Sequence, residues 1–211
     1  MVEQTTRLRV LLVGASGTLG RAVAAELGAR HEIIAAGSKS GDVRIDLADV
    51  ASIGAALAQV GPLDAVASAA GNVAFRPLEA IDPAPLAESV YGLGLVNKLL
   101  GQVNLALAAR GYLRDGGSIT LVSGVLSDDP IVAGSAASMV NGALEAWVRA
   151  AAIELPRGLR INVVSPTVLT EAMGAYGPFF RGFASVPAAR AALAYSRSID
   201  GRQTGQVYRV L

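Results

Sequence analysis

The chain contains no cysteine, which excludes disulfides and thiolate chemistry. It has a single histidine, His31, placed just before an apolar run and read as a surface residue rather than a catalytic base. No cluster of His, Asp and Glu has metal-ligand spacing, so no metal is expected. An excess of either charge is also missing. There are 18 Lys and Arg against 17 Asp and Glu, a formal net charge of +1. No strong field recruits nucleic acid or an anionic membrane. No basic stripe is interleaved with aromatic residues, so nucleic acid is not an expected partner. Long apolar runs are absent too. The longest uncharged stretch, Pro130 to Leu144, is about 15 residues and is broken by Gly, Ser and Asn, whereas a spanning helix needs about 20. The opening "MVEQTTRLRV" lacks the basic-then-apolar layout of a signal peptide. A soluble, cytoplasmic chain with no membrane partner is expected.

What is present is an alternation. Of 211 residues, 52% are hydrophobic, enough for one domain spanning 1–211 with a sizeable core. "RLRVLLV", "HEIIAAG", "VRIDL", "LDAVASAAG", "GSITLVSG", "LRINVVSP" and "GQVYRVL" read as strands. Between them, 18–29, 50–60, 135–155 and 187–198 carry helical spacing, and 85–113 reads as one long, mostly helical segment. Apolar strands alternating with helices predict an α/β fold, a Rossmann-type doubly wound parallel β-sheet flanked by helices. The segment "GAYGPFFRGFA", 174–184, is the least regular.

The stretch "VGASGTLGRAV" lies between the first strand and the first helix. In that setting, backbone N–H groups and a helix N-terminus can face a pyrophosphate. Gly14 would make the tight turn, Gly17 would admit the phosphate, and Gly20 would let the helix pack on the strand. Ser16, Thr18 and Leu19 complete this candidate cofactor-binding turn. In dinucleotide folds, an acidic residue after the second strand takes the adenosine ribose hydroxyls. Here Gly37, Ser38 and Lys39 stand in that place. Small donors and a cation suit a 2′-phosphate, which favours NADP(H) over NAD(H). Lys39 as a plain solvated charge, and the nearby Asp42, are the competing readings.

Together these segments resemble the short-chain dehydrogenase/reductase family over almost the whole chain. "GASGTLG" is similar to the family's glycine turn, with Thr18 where many members have glycine. "IDLAD" resembles the segment that would bring Asp46 and Leu47 to the adenine. "VASAAG" stands where the family has Asn-Asn-Ala-Gly. Ser68 and Ala69 replace the asparagines, and Ala69, Ala70 and Gly71 are candidate cofactor residues. "GGSITLVSG" resembles the strand ending at the catalytic serine, Ser123. "RINVVSPTVLTEAM" is similar to the nicotinamide loop. Pro166, Thr167 and Val168 would line the cofactor there, with Thr167 in place of the usual glycine.

The largest absence lies inside this resemblance. Family members carry Tyr-x-x-x-Lys in the helix after the serine, and 135–155 contains neither tyrosine nor lysine. Alignment places Ala137 at the tyrosine position and Asn141 at the lysine position. The usual acid–base route is therefore missing. The preceding helix has Lys98 where the family has a functional asparagine, so lysine and asparagine exchange helices. A one-residue shift that puts Asn97 at that position, with Lys98 pointing to solvent, is the competing reading. The resemblance then implies Ser123, Lys98 and Asn141 as the catalytic set. Ser123 would hydrogen-bond a substrate carbonyl, and Lys98 with Asn141 would place the nicotinamide ribose. Tyr176, in the irregular segment, is a further proton-donor candidate or simply part of an apolar lid wall. Two functions follow: an NADP-dependent oxidoreductase acting on a small or apolar carbonyl or alcohol, or a non-catalytic NADP(H)-binding regulatory or sensor protein. Apolar residues along the two long helices predict a homodimer or homotetramer.

Overall fold

The first strand shows how the sheet is built. In β1 (Arg9–Val13), Leu11 and Val13 pack into one core cluster and Val10 and Leu12 into another. A strand whose side chains are buried on both faces must lie inside a covered sheet. The computed structural model describes residues 7–211. The first six residues, part of the segment read above for a leader, lie outside the described residues.

Around β1 the chain lays down α1 (Thr18–Gly28), β2 (Glu32–Gly37), β3 (Val43–Arg44), α2 (Val50–Val60) and β4 (Leu63–Ser68). A π-helix (Gly94–Leu100) runs into α3 (Gly101–Ala109). Then follow β5 (Leu113–Val122), α4 (Ser135–Ala152), β6 (Arg160–Pro166), the short α5 (Met173–Tyr176), α6 (Ala188–Asp200) and β7 (Val207–Val210). The seven strands pair in the order β3-β2-β1-β4-β5-β6-β7, all parallel. This is the expected single-domain, doubly wound α/β fold. One core cluster joins the sheet to α2, α3 and α4 through Ile53, Leu57, Leu105, Leu144 and Val148. The other joins it to α1 and α6 through Val23, Leu27, Tyr195 and Ile199. The strand order reverses between β1 and β4, and ligands of such sheets bind beyond the strand ends at that point.

Three local expectations change. "VRIDL" pairs only at Val43 and Arg44. Beyond them, Ser52 Oγ accepts the Asp46 N–H at 3.0 Å and Asp46 Oδ1 accepts the Ala48 N–H at 2.9 Å, so the chain turns into α2. The segment 85–113 is mostly helical, as read, but the helix is confined to 92–109. Up to Tyr91 it is built of turns, and helix begins only at Gly92. A Cβ on Gly92 would meet the Leu86 carbonyl at 2.3 Å, and one on Gly101 would meet the Leu47 carbonyl at 2.5 Å. Those glycines are there for close approach. His31 is not a surface residue. It is 1% exposed, and its Nε2 lies 2.8 Å from Asp200 Oδ1. No described helix is long and apolar enough to cross a membrane.

Candidate functional site: a cleft at the strand-order reversal

The glycine turn leaves β1 with Gly14 at φ +84°, where a side chain would be strained. A Cβ there would also meet Ala70 Cβ at 2.8 Å, so the turns after β1 and β4 touch. Gly20 is pinned harder, since its Cβ would fall 2.0 Å from the Gly14 carbonyl oxygen. Gly17 differs. It sits at the N-cap of α1 with extended backbone, and its Cβ would meet only the Gly14 carbonyl at 3.4 Å. Its other side is open.

That open side faces a cleft of about 350 Å³. The cleft gathers Gly14, Ser16, Gly17, Gly37, Ser38, Lys39, Asp46, Leu47, Ala69, Ala70 and Gly71. It also takes in Val13, Ser40, Ile45 and Asn72, which sequence reasoning did not single out, and Asn97, the neighbour of Lys98. Asn97 Oδ1 accepts the Asn72 N–H at 2.8 Å and fixes the cleft floor. Asp42, the competitor for the ribose position, turns back onto β2 and accepts the Ala35 N–H at 2.8 Å. Lys39 is exposed at the rim.

The remaining candidates lie elsewhere. Thr18 opens α1 behind the turn, and Leu19 and Gly20 are buried beneath it. Pro166, Thr167 and Val168 leave β6 on the far side of Ser123. Thr167 lines a separate hollow of about 370 Å³ with Asp128, Arg181, Phe183 and Arg209. Thr167 Oγ1 donates to the Ala184 carbonyl at 3.2 Å and ties down the irregular segment. Val168 packs with Val125, Leu126, Phe180 and Ala137. Ala137, at the missing tyrosine, is 2% exposed inside that apolar cluster. Tyr176 is 41% exposed, with its ring 5.8 Å from the Phe75 ring, and forms a lid wall.

Lys98 enters from the π-helix. Its stem lies against Gly71, where a Cβ would meet Lys98 Cγ at 2.6 Å. Its Nζ donates to the Ser123 carbonyl at 3.1 Å. Burial lowers the amine pKa to about 8, with the Glu145 charge pulling the other way. Asn141 is 2% exposed, and its Nδ2 donates to the Gly124 carbonyl at 3.1 Å. Its Oδ1 has no hydrogen-bond partner among the described residues.

Ser123, expected to donate to a substrate carbonyl, is 4% exposed, and its hydroxyl donates to Glu145 Oε1 at 2.7 Å. A hydroxyl has one proton, and in this arrangement it points at the carboxylate. Ser127 and Ser165 also donate to Glu145 Oε1, at 2.9 and 3.0 Å. Glu145 was missed, although a signal existed. It lies on the same helical face as Ala137 and Asn141, at spacings of four.

Comparisons with known proteins agree with this architecture. Residues 8–211 match the family described as Enoyl-(Acyl carrier protein) reductase. The chain is 30% identical to human L-xylulose reductase over 182 residues, covering 79% of this chain and 73% of that one. It is 34% identical to an uncharacterised oxidoreductase of Methylorubrum extorquens over 145 residues, 66% of this chain and 56% of the other's length. Among solved structures, the protein lin1944 from Listeria innocua superposes with a TM-score of 0.92 and 46% identity, covering 97% of this chain and all of that one. A short-chain dehydrogenase from Burkholderia cenocepacia, solved in complex with NADP, shares the fold with a TM-score of 0.82 at 22% identity, over 96% and 95% of the two chains. The parallel sheet, the glycine turn and these matches converge, and the chain belongs to the short-chain dehydrogenase/reductase family.

Proposed function

We propose that this protein is an NADP-dependent oxidoreductase in which Lys98 and Asn141 replace the Tyr-x-x-x-Lys pair. One observation carries the reading. Lys98 is held between Gly71, on the cleft wall, and Ser123, at the end of β5, through a 3.1 Å bond to the latter's carbonyl. An ammonium there replaces the one that Asn141 cannot supply.

Three features support the cofactor. Gly17 leaves the α1 N-terminus open to a pyrophosphate. Ser38 and Lys39 line the rim where a 2′-phosphate would lie. Asn141 Oδ1 is a buried acceptor without a donor, and a ribose hydroxyl is such a donor. The bound nicotinamide would supply a hydride to a carbonyl carbon. Lys98 would hold the ribose through Nζ and keep a proton there near neutral pH, where an acid of pKa about 8 is well matched to transfer. The aromatic wall of Phe75, Tyr176 and Phe179 suits a small or apolar carbonyl compound or the matching alcohol.

Assembly as a homodimer or homotetramer belongs to the same proposal. Met139, Ala143, Ala146, Ala150 and Ile153 form an exposed stripe along α4. Leu93, Val96, Leu100 and Leu107 are exposed along the helix packed beside it. An apolar surface of this kind is a candidate interface.

A second reading keeps binding and drops chemistry: an NADP(H)-binding regulatory or sensor protein. It is favoured by the committed Ser123 hydroxyl and by Ala137 sealed among Val125, Leu126 and Phe180. The test is a reduced-cofactor oxidation screen across a carbonyl panel beside calorimetric titration of the cofactors. Turnover supports the enzyme. Binding without turnover across the panel supports the sensor. No binding of either cofactor defeats both.

A further inference from the structure

Glu145 is a buried acid that neither reading uses. It projects from α4, is 3% exposed, and gathers three hydroxyls on Oε1: Ser123, Ser127 and Ser165. These donors come from the end of β5, the loop after it, and β6. A carboxylate only accepts hydrogen bonds, so three donors suit its charged form. A buried charge of this kind needs a counter-charge. Arg209 on β7 supplies one at 3.8 Å from Oε2, but Arg209 is shared with Asp128, to which its Nε donates at 2.7 Å. On the other side lies Lys98, joined to Glu145 through one residue: Lys98 Nζ donates to the Ser123 carbonyl, and the Ser123 hydroxyl donates to Glu145. Lys98 makes no direct ion pair among the described residues. Glu145 is the acid whose charge acts on it.

We propose that Glu145 is a positioning residue for Lys98, with Ser123 as the bridge. In this chain the family's serine position no longer serves a substrate. It ties a buried carboxylate to the residue whose carbonyl anchors the lysine. The carboxylate charge opposes the loss of the Lys98 proton that burial favours. The groups facing this pair are Arg209 from β7, Asp128 from the loop after β5, and the three serine hydroxyls. None is a second acid in contact with Lys98. The idea rests on the role given to Lys98 above, but it can be tested apart from it.

The chain has two lysines, Lys39 and Lys98. In a Lys39→Arg background, lysine labelled with 13C at Cε gives one side-chain signal, and its shift titrates with the amine. Without cofactor, Lys98 should titrate near pH 8. Glu145→Gln keeps an oxygen for the three hydroxyls and removes the charge. It should move the titration down by about one pH unit or more. Glu145→Asp should leave it near the parent value. If Glu145→Gln does not fold, Ser123→Ala removes the bridging hydroxyl instead, and the Lys98 titration should move in the same direction. An unmoved Lys98 titration in whichever variant folds overturns the proposal. A purely structural Glu145 would change melting temperature and not this titration. NADPH affinity separates the two claims. If Lys98 holds the ribose, Glu145→Gln weakens binding at pH 8 and recovers at pH 6.5. If the titration moves and affinity does not, Glu145 still positions Lys98, and the cofactor role of Lys98 fails instead.

Discussion

Replacing Gly20 by alanine should break the turn and the cofactor seat together. The added Cβ would lie 2.0 Å from the Gly14 carbonyl oxygen, 2.7 Å from its carbon and 2.8 Å from Ala15 Cα. All three are backbone atoms, so no side chain can swing aside. Relief requires α1 and the turn to separate by more than 1 Å. Overpacking of this kind costs about 3 kcal/mol, the upper end of the usual range. In a domain of this size that lowers Tm by roughly 6–12 °C. The separation also pulls the α1 N–H groups away from any phosphate, and losing one charge-assisted bond weakens NADPH binding about tenfold or more. Gly17→Ala is the control. Its Cβ meets nothing closer than 3.4 Å and its φ of −71° is ordinary, so the fold should lose about 1 kcal/mol or less. The methyl nevertheless projects where a pyrophosphate would approach, so binding should fall without unfolding. Thermal melts and calorimetric titration of both variants decide the matter. A Gly20→Ala protein that melts and binds like the parent would refute the packing argument. A Gly17→Ala protein that binds like the parent would remove the phosphate from this turn.

NADP(H) should bind at least about tenfold tighter than NAD(H), from one charge-assisted phosphate contact, and Lys39→Ala should weaken only the phosphorylated form in paired titrations. Affinity for NADPH should fall as pH rises through about 8, where Lys98 loses its proton, and titrations across pH should show no such fall in Lys98→Met. Light scattering at micromolar concentration should give a multiple of the 21.4 kDa chain mass, and Val96→Glu with Met139→Glu should return the protein to monomer.

The layered alternation was legible because the central strands β1, β4, β5 and β6 bury apolar side chains on both faces and helices α1, α2, α4 and α6 keep one apolar stripe. The cleft was legible for a related reason. A glycine turn after β1 and an alanine–glycine turn after β4 can meet only where the strand order reverses. What escaped depended on partners distant in sequence. The late helix start in 85–113 goes with close approaches that only glycine allows, of the Leu86 carbonyl to Gly92 and the Leu47 carbonyl to Gly101. His31 lies in the interior because Asp200, 169 residues away, receives it. The part played by Glu145 escaped for the same reason: the hydroxyls that donate to it come from Ser123, Ser127 and Ser165, scattered along the chain.

The most direct measurement of the Lys98 claim is a crystal structure of the NADPH complex. The Lys98 ammonium should lie about 3 Å from a hydroxyl of the nicotinamide ribose, or one water away, with Asn141 Oδ1 accepting from the same ribose. If Nζ stays on the Ser123 carbonyl with no direct or water-mediated contact to the ribose, the lysine–asparagine exchange has no function, and the non-catalytic reading takes its place.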